Sequence, residues 1–131
     1  MSCKTTSLME KLKFSKSGLL YGLRVERTTQ ILFIVSILSN LYSLLFVPTI
    51  ENKTEVIVFS FILLTIEYIN TSIETTIDRI GKCYHILSKH AKDLSSVASL
   101  LMIIAFSLIL LYNIIITYNH YKIWKRDNKE K

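Results

Sequence analysis

Glycine and proline are scarce in this sequence of 131 residues, which contains three glycines and one proline. Tight turns are therefore few, which argues against a β-sandwich, a barrel or a disordered linker and leaves long helices open. Charged residues make up only 20% of the chain, whereas hydrophobic residues make up 50%. A soluble domain of this length has too little interior to bury so much apolar surface. With a mean hydropathy of +0.38, the composition favours an integral membrane protein of one domain.

Cysteine is equally sparse, and Cys3 and Cys83 lie far apart without CxxC spacing. Neither a disulfide framework nor a cysteine metal site is therefore expected. The scattered glycines cannot form a GxxxxGK(S/T) loop, so any bound ATP would lack that phosphate cradle. The net charge of +6 does not indicate nucleic acid as a partner, because no basic stripe alternates with aromatic residues. The bases instead flank apolar runs, where bases normally meet anionic lipid headgroups.

Three segments are predicted to cross the membrane, at about residues 28–50, 55–78 and 94–121. The first carries no charge, and its 23 residues would form a helix of about 34 Å, enough for a hydrocarbon core of about 30 Å. The third is also free of formal charge and ends in aromatic residues at Tyr118 and Tyr121, as at a membrane interface. The second has only eleven apolar or hydroxyl residues before Glu67, so it spans only if polar side chains enter the membrane.

Two local signals predict where the second and third membrane-spanning helices begin. Asn52 followed by Glu55 resembles the start of the second spanning helix. Asp93 is suited to cap a helix that begins at Leu94, and this reading competes with a catalytic role for the same side chain.

Residues 7–24 are predicted to form an amphipathic helix on the membrane surface. Leu8, Leu12, Leu19 and Leu23 fall on one side of this helix, and lysines lie between them. A mobile basic tail is the alternative, because two glycines weaken the helix propensity of the stretch. Six bases precede the first apolar run and no small-residue cleavage site follows it, so a cleaved signal peptide is not expected.

The distribution of bases predicts the orientation of the chain. Six bases precede the first span, one lies in the first loop, four lie in the second loop and five follow Tyr121. With three spans, the N-terminus and the second loop share one side of the membrane, and the positive-inside rule places that side in the cytoplasm. The basic tail, which would then lie outside, argues against this orientation.

A stripe of four polar side chains runs along one face of the second predicted span: Glu67, Asn70, Glu74 and Asp78. At about 100° per residue they lie within roughly 80° of one another. Measured from an outer boundary at Val56, Glu67 lies about 16 Å deep and Asp78 about 33 Å deep. An ionised acid facing lipid near the bilayer centre costs about 3 kcal/mol or more, so the stripe is expected to face protein, metal or water and to be functional. The alternative is a polar seam that joins helices through hydrogen bonds.

Residues of the second loop supply the opposite charge. Lys92 and Asp93 lie just before the third span, and Arg79 is nearby. Carboxylates for a divalent cation and bases for phosphates would then meet at one membrane face, which suits metal-assisted phosphoryl transfer. His85 and His90 have no partner at metal-binding spacing and are interpreted as loop residues near the headgroups.

These residues together resemble a known family. Residues 67–81 read EYINTSIETTIDRIG, and Tyr84-His85 and Ala91-Lys92-Asp93 follow them. They are similar to the E-x-x-N-x-x-I-E-x-x-x-D-R-I-G, Y-H and A-K-D signature of the small bacterial membrane diacylglycerol kinases. With three predicted spans, the resemblance covers nearly the whole chain. An ungapped extension also aligns Glu26 with the acidic residue that the family carries ahead of its first span.

The resemblance implies an all-α homotrimer in the inner membrane, with three spans and a surface helix per subunit. It implies transfer of the γ-phosphate of Mg-ATP to the primary hydroxyl of diacylglycerol. Glu67 would be the general base, and Asn70 would help to order the site. Glu26 and Glu74 would bind Mg²⁺ and, through it, ATP. The remaining ATP contacts implied by the family are Lys92, at the phosphates, and Asp93, which helps to place the nucleotide.

Two other functions are compatible with the sequence. Some members of the same family phosphorylate undecaprenol, although residues 78–81 look more like the diacylglycerol branch. A non-enzymatic membrane subunit could use Glu67 and Glu74 as an ion relay. A relay would not require Glu26 or the Lys92-Asp93 pair, so their joint presence favours the kinase.

Overall fold

Four helices make up the computed structural model, which describes residues 7–81 and 83–129. They are α1 (Leu8–Val25), α2 (Arg27–Phe46), α3 (Ile50–Ile80) and α4 (Ile86–Asp127). The described ranges contain no β-strand. α2, α3 and α4 are long and apolar enough to cross a membrane. The prediction of an all-α membrane protein with three spanning helices is therefore confirmed. Cys3 lies outside the described residues.

α1 begins with a capping box, in which the Ser7 hydroxyl accepts from the Glu10 amide at 3.3 Å and the Glu10 carboxylate accepts from the Ser7 amide at 2.9 Å. These bonds satisfy two amide groups that the first helical turn leaves free. The helix differs by one residue at each end from the predicted range. Its position on the membrane surface stays a prediction, and its exposed Leu8 and Leu12 are compatible with that position.

Tyr68 holds α1 against α3. Its hydroxyl donates to the Leu19 carbonyl at 3.0 Å, and its ring packs on Gly22, the buried residue of α1. A Cβ atom at Gly22 would lie 2.5 Å from Cε1 of that ring, so only glycine permits this close approach. Gly22, which lowers the helix propensity of α1, is thus required for the packing of α1 on α3.

α3 lies at the centre of the bundle and packs on both α2 and α4. A small apolar core joins the three helices through Leu32, Val56, Leu63 and Phe106. Many of the other buried side chains are small and polar: Thr29, Ser36, Ser39 and Ser43 of α2, Ser60 and Thr71 of α3, and Ser95 and Ser99 of α4. Large apolar side chains cover the outside. Small residues allow the close helix contacts that are typical of bundles in lipid.

Both predicted helix starts were wrong. α3 begins at Ile50, with Thr49 as its N-cap, and not after Asn52. Pro48 disfavours helical backbone at Val47, and only residues 47–49 separate α2 from α3. α4 begins at Ile86, where the His85 side chain caps it by accepting from the Leu87 amide at 3.3 Å. No glycine or proline interrupts the following two turns, so the helix starts well before Leu94.

The early start of α4 corrects two further interpretations. His90 and Asp93 lie inside α4, and His85 is its N-cap, so neither histidine is simply a loop residue. Asp93 does not cap a helix and is an exposed side chain two turns into α4.

Candidate active site

A pocket of about 230 Å³ opens where the start of α2 meets α3 and α4. Four of the six residues predicted for the site line it: Glu26, Glu67, Asn70 and Glu74. α4 contributes Ser96 and Ser99 to the opposite wall. The acidic side chains thus come from the start of α2 and from α3, and α4 closes the pocket with hydroxyl groups.

Glu67 is the most deeply buried of these acids, with only 1% of the residue exposed. The Ser99 hydroxyl donates a hydrogen bond to its Oε2 atom. Its Oε1 atom is also buried, and no donor within residues 7–81 and 83–129 reaches it. A buried acceptor left without a donor costs about 1–3 kcal/mol. The site therefore keeps an oxygen ready for a donor group that comes from a bound molecule.

Asn70 and Glu74 follow Glu67 on the same face of α3, and a hydrogen bond joins their side chains. Asn70 Nδ2 donates to Glu74 Oε1 at 3.4 Å, which orients the half-buried Glu74 carboxylate. The Asn70 Oδ1 atom is buried, and none of the described residues donates to it. Two unpaired acceptor oxygens, from Glu67 and Asn70, thus belong to residues that line one pocket.

Glu26 reaches the pocket because it lies at the junction of α1 and α2, with the extended backbone angles φ −115° and ψ 119°. It occupies the N-cap position of α2, but its side chain makes no capping hydrogen bond. The carboxylate is therefore available to the pocket while it benefits from the positive end of the helix dipole. Three residues later, the Thr29 and Thr71 hydroxyls hydrogen-bond at 3.2 Å and fix α2 against α3.

Lys92 and Asp93 do not line the pocket. The Lys92 ammonium group is paired with the Asp78 carboxylate, at the end of the bundle beyond Glu74. Asp78, the last member of the predicted stripe, is exposed. The polar stripe thus has two parts. Glu67, Asn70 and Glu74 line the pocket, whereas the exposed Asp78 pairs with Lys92.

The carboxylates of the pocket allow a metal ion only together with ligands from a bound molecule. Within the described residues, no group of three or more His, Cys, Asp or Glu side chains is close enough to hold a metal ion on its own. Glu26 and Glu74 nevertheless supply two carboxylates to one pocket. This donor set fits Mg²⁺, which proteins commonly bind through one or two carboxylates together with substrate phosphates.

Sequence reasoning missed the hydroxyl groups of the site. Ser99 bonds Glu67, and Thr28 and Ser96 line the same pocket. The available signal was the group Ser95, Ser96 and Ser99, which interrupts the apolar side chains of α4 at helical spacing.

Comparisons with known proteins identify the family that the sequence matches. Residues 13–115, which include all six predicted site residues, match the sequence model of the family described as prokaryotic diacylglycerol kinase. The diacylglycerol kinases of Escherichia coli strain K12 and of Shigella flexneri are each 42% identical to this chain over 57 residues. The match covers 42% of this chain and 47% of each relative, so the chain spans about half the length of these curated relatives.

Replacing Ser99 tests whether its hydroxyl stabilises the buried carboxylate. We expect Ser99→Ala to lower the free energy of unfolding by about 1–3 kcal/mol, because Glu67 Oε2 then loses its donor. Reversible unfolding in detergent micelles measures the change.

Ser107→Ala is the matched control, since the Ser107 hydroxyl is exposed and donates only to its own helix, at the Ile103 carbonyl. A change within about 0.5 kcal/mol is expected there. Equal, small effects of both substitutions would show that Ser99 does not stabilise Glu67.

Proposed function

The chain belongs to the prokaryotic diacylglycerol kinase family, and from this premise we propose that it transfers the γ-phosphate of ATP to diacylglycerol. The products are phosphatidic acid and ADP. The family resemblance found in the signature residues is confirmed by the match over residues 13–115. The activity itself is our proposal.

The free Oε1 atom of Glu67 is the observation that carries this proposal. It is a buried acceptor at a depth where, by the span assignment, a lipid hydroxyl arrives without leaving the bilayer. A hydroxyl group is the donor that it lacks. Glu26 and Glu74, by contrast, belong to the part of the pocket nearer the predicted cytoplasmic face, where a nucleotide would enter from water.

Glu67 acts as the general base in this scheme. The primary hydroxyl of diacylglycerol donates to Oε1, and Ser99 holds the other oxygen in place. As the hydroxyl oxygen bonds to the γ-phosphorus, the bond from that phosphorus to the β-γ bridging oxygen breaks. The hydroxyl proton passes to Glu67, and ADP leaves. A positioned base of this kind contributes about 10²- to 10⁴-fold to the rate.

Glu26 and Glu74 are proposed to bind Mg²⁺ together with the ATP phosphates, and Asn70 orients Glu74. The bound ion would neutralise charge on the transferred phosphoryl group. Glu74 and Glu26 thereby determine where the phosphates lie relative to Glu67.

Lys92 and Asp93 are proposed to contact ATP above the pocket. Lys92 is paired with Asp78, and this exposed ion pair is a weak one. The ammonium group can therefore exchange the carboxylate for an ATP phosphate at little cost. Asp93, exposed on the next position of α4, is proposed to help place the nucleotide.

The proposal extends to what the family resemblance implies. Residues 1–131 are proposed to form one membrane-embedded kinase domain that assembles as a homotrimer in the inner membrane. The N-terminus and the second loop lie in the cytoplasm, in accordance with the count of bases.

A transfer assay tests the function directly. Purified protein in mixed micelles is given ATP labelled at the γ-phosphate and either diacylglycerol or undecaprenol at equal mole fraction. We expect label mainly in phosphatidic acid, because residues 78–81 resemble the diacylglycerol branch of the family. Preferential labelling of undecaprenol would reverse the choice of substrate, and no labelling of either lipid would contradict the kinase.

Two glutamine substitutions in the pocket are expected to differ in their effects. Glu67→Gln should lower the maximum rate by about 10²- to 10⁴-fold at saturating Mg²⁺, because an amide does not accept the proton. Glu74→Gln should shift the Mg²⁺ titration of activity to higher concentration as well, because an amide is a poorer ligand for Mg²⁺.

Glu51→Gln is the control for both, because Glu51 is exposed in the first turn of α3, far from the pocket. Correctly assembled Glu67→Gln protein that kept more than about a tenth of its rate would contradict the general base. An unchanged Mg²⁺ titration in Glu74→Gln would remove Glu74 from the metal site.

A further inference from the structure

A long groove lies between α1 and α3, away from the candidate active site. It consists of two cavities, of about 860 Å³ and 430 Å³, which share Gly18, Tyr68 and Ser72 as lining residues. On α3 the groove follows a line about 120° round the helix from Glu67. It is therefore a different surface from the pocket that holds the acidic residues.

The larger cavity is apolar. Leu19 of α1 and Phe33 of α2 line it together with the α3 residues Phe61, Leu64, Ile69 and Ile73. Along α3 the lining rises about 18 Å from Phe61 to Ile73. One leaflet of the hydrocarbon core is about 15 Å thick, so the cavity has the length of an acyl chain in a bilayer.

The smaller cavity has more polar lining residues than the larger one and lies at the cytoplasmic end by the predicted orientation. It is lined by Tyr21, Thr71, Ser72, Thr75, Thr76 and Arg79. The three threonine hydroxyls donate to carbonyls of their own helix. Arg79, Ser72 and Tyr21 therefore supply the groups that can donate to a ligand.

Arg79 gives this end a positive charge. The ion pairs within the described part of the chain join Lys92 to Asp78 and Arg126 to Asp127, so Arg79 takes part in neither. Arg79 lies about 10 Å beyond Ser72 along α3, which is the level of the headgroups if the apolar cavity lies in the hydrocarbon. A guanidinium group at that level matches a lipid phosphate in charge and geometry.

We propose that the α1–α3 groove binds one anionic phospholipid of the bilayer, with an acyl chain in the apolar cavity and the headgroup phosphate at Arg79. The occupant is a resident diacyl lipid and not the reacting one, because the groove and Glu67 lie on different faces of α3. The site is independent of the proposed kinase activity. The lipid would pack against α1, which the Tyr68 hydroxyl joins to α3.

Lipid binding to the purified full-length protein tests the site. The protein in detergent micelles is titrated with phosphatidylglycerol or with phosphatidylcholine of the same acyl chains, and bound lipid is counted by native mass spectrometry. We expect phosphatidylglycerol to bind at least about fivefold more tightly, the effect of one base on an anionic lipid. Equal binding of the two lipids would overturn the proposal.

Two variants test the headgroup contact and the acyl-chain contact separately. Arg79→Gln should reduce phosphatidylglycerol binding to the level of phosphatidylcholine. Gly18→Leu should weaken both lipids, because its side chain projects into the groove. A Cβ atom at Gly18 meets nothing within 4 Å, so Gly18→Leu is expected to fold. It therefore still tests the groove if the Arg79→Gln protein fails to fold.

The matched controls are Ser17→Leu and Lys89→Gln, exposed residues that do not line the groove, and both should bind lipid as the wild type does. Unchanged binding in Arg79→Gln and Gly18→Leu would overturn the proposal. Selective binding of phosphatidic acid without phosphatidylglycerol would also overturn it, as would crosslinks showing that a second copy of the chain fills the groove.

Discussion

The burial of the Glu67 carboxylate within an apolar helical bundle is the constraint on which the rest of the site depends. A carboxylate in this position is costly unless its oxygens have donors. The hydroxyl of Ser99, on α4, donates to one oxygen of Glu67. The hydrogen bond between Thr29 and Thr71 holds α2 against α3 near the same level. The other oxygen is left free. The bundle thus stabilises half of the carboxylate and leaves the remaining half for a ligand.

The packing of the helices makes this arrangement compatible with a membrane. Buried positions of α2 and α4 are mostly serine and threonine, whereas the outward side chains are large and apolar. Hydroxyl groups bond to the helix backbone or across a contact, as Ser60 does with Asn40 at 3.1 Å. Small side chains also bring the helices close enough for Glu67 to meet Ser99. The polar interior that forms the site is therefore also the means of helix association.

Sequence periodicity predicted the part of the site that lies on one helix. Glu67, Asn70 and Glu74 were placed on one face of α3 by spacing alone, and all three line the pocket. The pairing of Lys92 with Asp78 could not be predicted, because it depends on the position of α4 along the axis of α3. For the same reason the role of Ser99 was not visible. The early start of α4 was missed because Asp93 resembles a cap, whereas the side chain of His85 caps the helix at Ile86.

The proposed mechanism requires the free oxygen of Glu67 to receive the hydroxyl of the lipid acceptor. Labelling with a membrane-soluble carbodiimide, mapped by peptide mass spectrometry, tests it most directly, since this reagent reaches carboxyl groups from the bilayer. A water-soluble carbodiimide, which labels exposed acids such as Glu51, serves as the control. We predict that Glu67 is labelled from the membrane and that diacylglycerol slows this labelling without affecting Glu51. Labelling of Glu67 at the same rate with and without diacylglycerol would contradict the account.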